Sequence, residues 1–269
     1  MNPSMHPLIA AALLALLFVG THVGLATVPV RARLVARLGE WGFRWLFFAV
    51  AGVAFAALTV YYADHRAMGP AGPALGATPV VGAVLRMLSI IGVVLMTASF
   101  ATYPGSPYDI ERPRNAREPR GLERVTRHPF FVGLALFALA HALLATRLIA
   151  SVLMLALALL AMGGSWHQDR KLLRLRGAAF SGYLASTSSM PFAAILAGRQ
   201  RLVWRELPVA GIALGLVLAA LLRSVHEAIF AYRGAWVVLA VVGGALGIAI
   251  MSLRRERGRT SSLRRETAR

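Results

Sequence analysis

The chain has 269 residues, of which 58% are hydrophobic and 15% are charged. A soluble domain carries about a quarter charged residues, so this composition argues against a soluble enzyme and favours an integral membrane protein. The sequence has no cysteine, which excludes disulfides, iron–sulfur clusters and thiolate-ligated haem. The net charge of +18 would suit nucleic-acid binding, but no aromatic residues interleave with the arginines, and we expect no nucleic-acid partner.

Seven apolar segments follow one another along the chain, and most are near the length that crosses a bilayer core. We place them at residues 7–29, 45–63, 82–102, 129–146, 148–165, 207–222 and 234–253. The predicted fold is an all-α, polytopic transmembrane helical bundle that forms one domain over residues 1–253. Residues 254–269 are a basic, low-complexity tail that we expect to be disordered.

The basic residues alternate with these segments. Of the 29 Lys and Arg residues, 24 lie in the loops after segments 1, 3 and 5 and in the tail, and five lie on the other side. The positive-inside rule therefore predicts an N-terminus outside and a C-terminus in the cytoplasm. In a bacterium this is the cytoplasmic (inner) membrane, whose lipids are the expected partners and whose anionic headgroups would contact the basic loops and tail.

The longest connection, residues 166–206, is predicted to be a cytoplasmic amphipathic loop. In its first half, apolar residues recur at helical spacing with basic residues between them, which is typical of a helix lying in the membrane interface. These apolar residues are Leu172, Leu173, Leu175, Ala179, Phe180 and Tyr183. The stretch "TSSMPF" then ends the helical pattern.

The seven histidines fall into three groups. Four lie at segment ends and are interpreted as interfacial polar residues: His6, His65, His167 and His226. His128 stands before Pro129, where "RHP" is also the pattern of a simple helix start. His22 and His141 differ because each lies within an apolar span, where an imidazole is costly to leave without a partner.

A neutral buried imidazole can be an axial ligand of haem iron, or it can hydrogen-bond a neighbouring helix, and both readings of His22 and His141 stay open. His22 lies about 10 Å from the inner end of its segment and His141 about 18 Å, at 1.5 Å per residue. Opposed ligands on one iron must have nitrogens about 4 Å apart, twice the metal–imidazole bond length. A shared iron therefore requires helix tilt to close this difference in depth.

Three ordered motifs carry a family resemblance that runs from about residue 15 to 205. The stretches "FVGTHVGLA" and "RARLVARLGEWGFRWLFFAVAGVAF" resemble the N-terminal part of the NnrU family, and "RVTRHPFFVGLALFALAHALLA" resembles its central motif. The region "WHQDRKLLRLRGAAFSGYLASTSSMPFAAILAGRQ" is similar to the plant zeta-carotene isomerase branch of that family.

The resemblance implies a membrane protein with non-covalent haem b whose iron ligands, and catalytic residues, are His22 and His141. It implies a role for His128 of the "RHP" motif, and we include the adjacent Arg127 with it among the cofactor-binding residues. The implied activity is conversion of the central 15-cis double bond of an apolar polyene to trans, as in carotenoid biosynthesis. The bacterial members are instead associated with nitrite and nitric oxide metabolism, that is, with denitrification.

Two alternatives from other classes remain. The "RHP" motif followed by "DRKLLRLRGAAFSGYLASTSSMP" also resembles the isoprenylcysteine and phospholipid methyltransferases, which use S-adenosylmethionine. In this chain Phe130 and Phe131 follow "RHP", where those enzymes usually have a tyrosine, and a single Asp169 stands where they have a pair of glutamates. The third reading is a non-enzymatic haem electron carrier or redox sensor, which would need the same histidines.

Overall fold

The computed structural model describes residues 5–102 and 118–247, and within these ranges the chain is helical without a strand. The helices are α1 (His6–Ala26), α2 (Val28–His65), α3 (Pro79–Thr102), α4 (Leu122–Val125), α5 (Pro129–Leu144), α6 (Leu148–Arg176), α7 (Ala178–Ser186), α8 (Ala193–Leu196), α9 (Val209–Ser224) and α10 (Ala231–Gly247). Prolines in the first turns of α1, α2 and α5 favour these starts, because a helix's first N–H groups have no partner within it.

Each of the seven apolar segments lies mainly in a helix, and α1, α2, α3 and α6 are long and apolar enough to cross a membrane. The helices α5, α9 and α10 are apolar but shorter. The all-helical architecture is therefore confirmed for the described residues, with four candidate membrane-spanning helices, while seven crossings and the orientation of the termini stay predictions. The end of segment 7 and the tail 254–269 lie outside the described residues.

The apolar helices pack in the spatial order α9, α3, α5, α6, α1, α2, α10, and neighbours along the chain run in opposite directions. We call the end where α1 and α6 finish and α5 begins the basic end, and the end where α5 and α9 finish the opposite end. An apolar cluster fills the contact of α1, α2 and α6. Its buried members are Ala15, Phe18, Ala54, Phe55, Leu58, Leu153 and Ala156.

Glycines set the spacing of α3, the central helix of its side of the bundle. A Cβ on Gly92 of α3 would lie 2.6 Å from the Gly133 carbonyl oxygen of α5, and a Cβ on Gly133 would lie 2.6 Å from the Gly92 oxygen. On the other face of α3, a Cβ on Gly215 of α9 would come within 2.7 Å of the Val94 Cα. Such close backbone approach is how membrane helices gain packing contact without a hydrophobic driving force. Both α5 and α9 are thereby fixed on α3.

Two helices differ from the expected boundaries. Segment 5 was predicted to end at residue 165, but α6 continues to Arg176, so the beginning of the predicted loop 166–206 is an extension of this helix. The expected amphipathic helix is divided at Gly177, which has φ of +55°, into the last turns of α6 and the short α7. Of the apolar residues predicted for this helix, Leu172 and Phe180 are buried and Leu173 is 43% exposed. Gly39, with φ of +70°, similarly divides α2 into a polar first part and an apolar second part.

Candidate functional site

A cluster of charged side chains at the basic end joins two of the sequence motifs. Asp169, on the extension of α6, accepts a hydrogen bond from Arg127 Nε at 2.9 Å, and the Arg127 Nη2 lies 2.8 Å from the same carboxylate oxygen. Its other oxygen lies 2.8 Å from His128 Nε2. The His128 side chain is 5% exposed, and those of Arg127 and Asp169 are each 14% exposed. The charges are thus largely shielded from water and neutralise one another, as buried charges require.

The third motif, "TSSMPF", closes over this cluster. The Thr126 hydroxyl donates to the Ser189 carbonyl at 2.8 Å, and the Arg127 backbone N–H donates to the Ser188 carbonyl at 2.8 Å. The Phe192 backbone N–H donates to the Val125 carbonyl at 2.9 Å. Thr126 and Thr187 are almost fully buried. The two motifs therefore form one folded unit, although about sixty residues separate them.

His128 does occupy the start position that "RHP" indicates, since it immediately precedes α5 and Pro129 is the first residue of that helix. Its side chain makes no capping hydrogen bond and turns instead to Asp169. The sequence thus predicted the position of His128 at the start of α5, but not the contact of its side chain with Asp169. Because Asp169 holds His128 Nε2, the most direct role of this histidine is in the ion-pair cluster.

A second ion pair supports the same end from outside the apolar segments. Glu206 accepts hydrogen bonds from Arg124 Nε at 2.8 Å and from the Gly121 backbone N–H at 2.9 Å, and Arg124 also donates to Gln200 at 3.0 Å. The Arg124 hydrogen bond, followed by that from Gly121, lowers the pKa of Glu206 to about 2. This carboxylate thus stays ionised and ties the segment before α9 to the segment before α5.

His22 lies among aromatic rings near the basic end of α1. Its ring centre is 4.8 Å from that of Phe47 and 5.9 Å from that of Phe18, both in edge-on arrangements. The His22 Nδ1 atom is buried and has no hydrogen-bond partner among the described residues. An unsatisfied buried nitrogen of this kind is available to a ligand that brings its own partner atom.

His141 lies near the opposite end, between α5 and α3. Its Nδ1 is 2.9 Å from the Phe137 carbonyl oxygen and 3.4 Å from the Ser89 hydroxyl. A carbonyl oxygen only accepts hydrogen bonds, so the neutral ring carries its proton on Nδ1 and keeps the lone pair on Nε2. The His141 ring also lies beside that of His226, which follows α9, with ring centres 6.4 Å apart and planes inclined by 23°.

The structure does not bring His22 and His141 together. Helix α6 packs against both α1 and α5, so its residues mark the level of each histidine along the bundle axis. The His167 ring of α6 interacts with the backbone carbonyl of Ala26, which lies one turn beyond His22. The level of His141 can be read from Ser151, whose hydroxyl donates to the Ala142 carbonyl at 2.8 Å. These levels differ by about twelve residues of α6, or roughly 18 Å.

Each of these two imidazoles has a nitrogen that suits an iron, but the pair does not fit one porphyrin. Nitrogens on opposite sides of a single iron must lie about 4 Å apart. Among the described residues no ring contact joins His22 to His141, and α6 lies between their helices. His141 Nε2 is a nitrogen that could hold a haem iron, and His22 does not lie near enough to be a second ligand of that iron.

The fold is a helical bundle of the integral-membrane type. Its long apolar helices alternate in direction, meet through glycines and bury an ion-pair cluster at one end. The sequence model of the family described as NnrU protein matches residues 9–234. The chain therefore belongs to the NnrU family, as its motifs indicated.

Two curated relatives are chloroplastic 15-cis-zeta-carotene isomerases. The protein of Arabidopsis thaliana is 30% identical over 205 residues, which cover 74% of this chain and 53% of the relative. The protein of Zea mays is 29% identical over 201 residues, covering 71% of this chain and 51% of the relative. The chain thus spans about half the length of the curated relatives it matches. No solved structure gives a significant match.

Two features of the site escaped the sequence analysis. His226 was interpreted as an interfacial polar residue, although the structure places it beside His141. Asp169 was noted only as part of a motif, although it links Arg127 to His128. For Asp169 a signal existed, since an acidic residue among so many basic ones within an interfacial segment is expected to have a charged partner. For His226 the sequence offered no such signal.

Proposed function

We propose that the chain is a membrane-embedded cis–trans isomerase of a long apolar polyene of the zeta-carotene class. The observation that carries this proposal is the similarity to two isomerases with that substrate over about three quarters of this chain. The apolar helices support it, because a polyene that partitions into the bilayer would reach a site among them directly.

The composition of the segments fits such a reaction. None of the seven apolar segments contains an acidic residue, and rotation about a double bond requires no proton transfer and no nucleophile. The polar groups that the structure places around the His141 ring are the Ser89 hydroxyl, the Phe137 carbonyl to which the imidazole is bonded, and the His226 ring. The Phe137 ring, 4.2 Å from the His141 ring centre, offers an apolar face on which a conjugated chain can stack.

Haem b is part of this proposal, with His141 as the ligand that the structure equips best. Its Nδ1 is fixed by the Phe137 carbonyl, which leaves Nε2 free to bind iron. When bound, the haem would supply an iron centre that can interact with the π electrons of a polyene. The residues of this chain hold the imidazole in one tautomer.

The ion-pair cluster has a positioning role in the proposal. By joining α6 to the start of α5 it fixes the axial position and rotation of α5, and with them the place of His141. The basic end is proposed to face the cytoplasm of a bacterial cell and to contact anionic lipid headgroups, because most of the arginines gather there.

The test is expression in cells that carry the enzymes for 15-cis-zeta-carotene, grown in the dark so that light cannot isomerise the product. We expect chromatography to show loss of the 15-cis isomer with the intact chain. The variant His141→Ala should lose this conversion, while the matched variant His65→Ala should retain it. An unchanged isomer profile with the intact, membrane-inserted chain would refute the proposal, and binding of S-adenosylmethionine by the purified protein would favour a methyltransferase.

A further inference from the structure

A group of large apolar side chains is exposed at the basic end, on a segment that belongs to none of the long apolar helices. Leu196 is 86% exposed, Trp204 73%, Met190 71% and Phe192 51%. They lie on residues 188–205, which lead to α9 and which we call the connecting segment. We propose that the connecting segment inserts these side chains into the lipid leaflet at the basic end of the bundle.

The backbone of the connecting segment is fixed, although these side chains are exposed. The Arg127 N–H donates to the Ser188 carbonyl at 2.8 Å, and the Phe192 N–H donates to the Val125 carbonyl at 2.9 Å. Within the segment, α8 packs on α4, and Ala194 of α8 is fully buried. The segment is therefore packed on the residues that precede α5 while its large apolar side chains stay outside that contact.

Three of the four side chains come from one tight turn. The Ala193 N–H donates to the Met190 carbonyl at 3.3 Å, and the Leu196 N–H donates to the Phe192 carbonyl at 2.9 Å. Phe192 has φ of +62°, in the left-handed region that a bulky residue rarely adopts. Such strain persists only where the surrounding structure holds it, and it concentrates at functional positions. The strained turn keeps Met190, Phe192 and Leu196 close together on the surface.

Trp204 is held near this turn by α4. The Arg124 guanidinium of α4 donates to Gln200 at 3.0 Å and to Glu206 at 2.8 Å. These two acceptors lie on either side of Trp204 in the sequence, and α8 packs on the same short helix. One helix therefore supports both parts of the apolar group. Tryptophan is enriched where a membrane protein meets the interface between lipid and water.

The charges of the connecting segment indicate that phospholipid is what it contacts. Residues 188–205 contain Arg199, Arg201 and Arg205 and no acidic residue. Large apolar side chains together with arginines are typical of segments that lie in a membrane interface, where the arginines meet lipid phosphates. A second copy of the chain would instead bring two sets of arginines together, and like charges facing each other oppose association.

The position of the connecting segment also favours lipid. The segment is hydrogen-bonded to the residues just before α5 and leads to α9, so it lies at the level where two apolar helices begin. Val209, the first residue of α9, is itself exposed, which continues the apolar surface from Trp204 onto that helix. Insertion of side chains is distinct from headgroup contact by arginines, because it places part of the segment below the headgroups.

The absence of cysteine from the sequence allows a single introduced cysteine to carry a fluorescent label. Leu196→Cys and, separately, Trp204→Cys are labelled with nitrobenzoxadiazole in the full-length protein, which is reconstituted into vesicles of phosphatidylcholine and phosphatidylglycerol. The references are Ile90→Cys, exposed in the middle of α3, and Ala71→Cys, exposed outside the apolar helices. Quenching is measured with a nitroxide on the lipid acyl chain and with iodide on both sides of the membrane.

We expect the acyl-chain nitroxide to quench the labels at residues 196 and 204 at least about threefold more than the label at residue 71, and iodide to quench them at least about threefold less. Iodide quenching equal to that at residue 71 would overturn the proposal, because the side chains would then face water. Protection from both quenchers would also overturn it, since protein would then cover them. Circular dichroism shows whether each labelled variant is folded, and none of these measurements depends on isomerase activity.

Discussion

Replacing Asp169 by Asn tests whether the ion-pair cluster at the basic end holds the bundle together. The substitution keeps the size of the side chain but leaves the Arg127 charge, whose side chain is only 14% exposed, without a counter-charge. Removing one partner of a buried ion pair costs about 3–5 kcal/mol. Because Asn still accepts hydrogen bonds, we expect a loss of stability of about 3 kcal/mol, near the lower limit.

The assay is thermal unfolding of the purified protein in detergent, followed by circular dichroism. A loss of about 3 kcal/mol corresponds to a fall in Tm of roughly 6–12 °C for a chain of this size. The matched control is Glu40→Gln, which removes an ion pair with Arg31 and Arg44 whose side chains are about a third exposed. Such pairs contribute at most about 1 kcal/mol. A Tm for Asp169→Asn equal to that of Glu40→Gln would refute the structural role of the cluster.

Three further predictions concern the packing, the pH dependence and the topology. Gly133→Ala places a methyl group 2.6 Å from the Gly92 oxygen and should destabilise the protein by about 1–3 kcal/mol in thermal unfolding. Its control is Gly163→Ala, whose methyl group meets no atom within 4 Å and which should be neutral or slightly stabilising. The folded-state pKa of Glu206 is lowered to about 2, so its contribution to the stability of the fold is complete above pH 4.5 and is lost as pH falls toward 2. The Tm difference between the intact protein and Glu206→Gln should therefore shrink over that range. A cysteine introduced at the exposed Ala71 should react with an impermeant thiol reagent added outside intact cells, and labelling only after lysis would reverse the predicted topology.

The positions of the apolar helices could be predicted from the sequence because hydropathy reports directly on burial in lipid. The end of α6 could not, since hydropathy marks where a segment leaves the apolar core and not where its hydrogen bonding stops. The residues from Trp166 to Arg176 keep good helix propensity, so the helix continues through them. The division at Gly177 requires a positive φ, which the sequence permits but does not demand.

The candidate site was predicted in part. The sequence singled out His141 by its depth and Arg127 and His128 by their motif, but it contained no information on which distant residues they contact. Asp169 and His226 reach the site only because α6 and α9 pack in register with α5 and α3, and that register depends on the close approach of glycines. The expected partnership of His22 and His141 rested on their depth within apolar spans and on family resemblance, and the packing order of the helices places α6 between them.

The link of the family to nitrite and nitric oxide metabolism and the absence of a nucleic-acid partner stay predictions. Both are accessible to the purified protein. Addition of nitric oxide should alter the absorption spectrum if the iron proposed at His141 accepts a diatomic ligand, and a mobility-shift assay at physiological salt should show no retained DNA or RNA.

The proposed isomerisation of a polyene by this bundle can be measured on the isolated protein. Its most direct measurement is incubation of the purified protein, reconstituted into liposomes with haemin, with 15-cis-zeta-carotene in the dark under reducing conditions. We expect the 15-cis isomer to be converted to the form with a trans central bond, many times per protein molecule. Unaltered substrate in the presence of folded, reconstituted protein would contradict it.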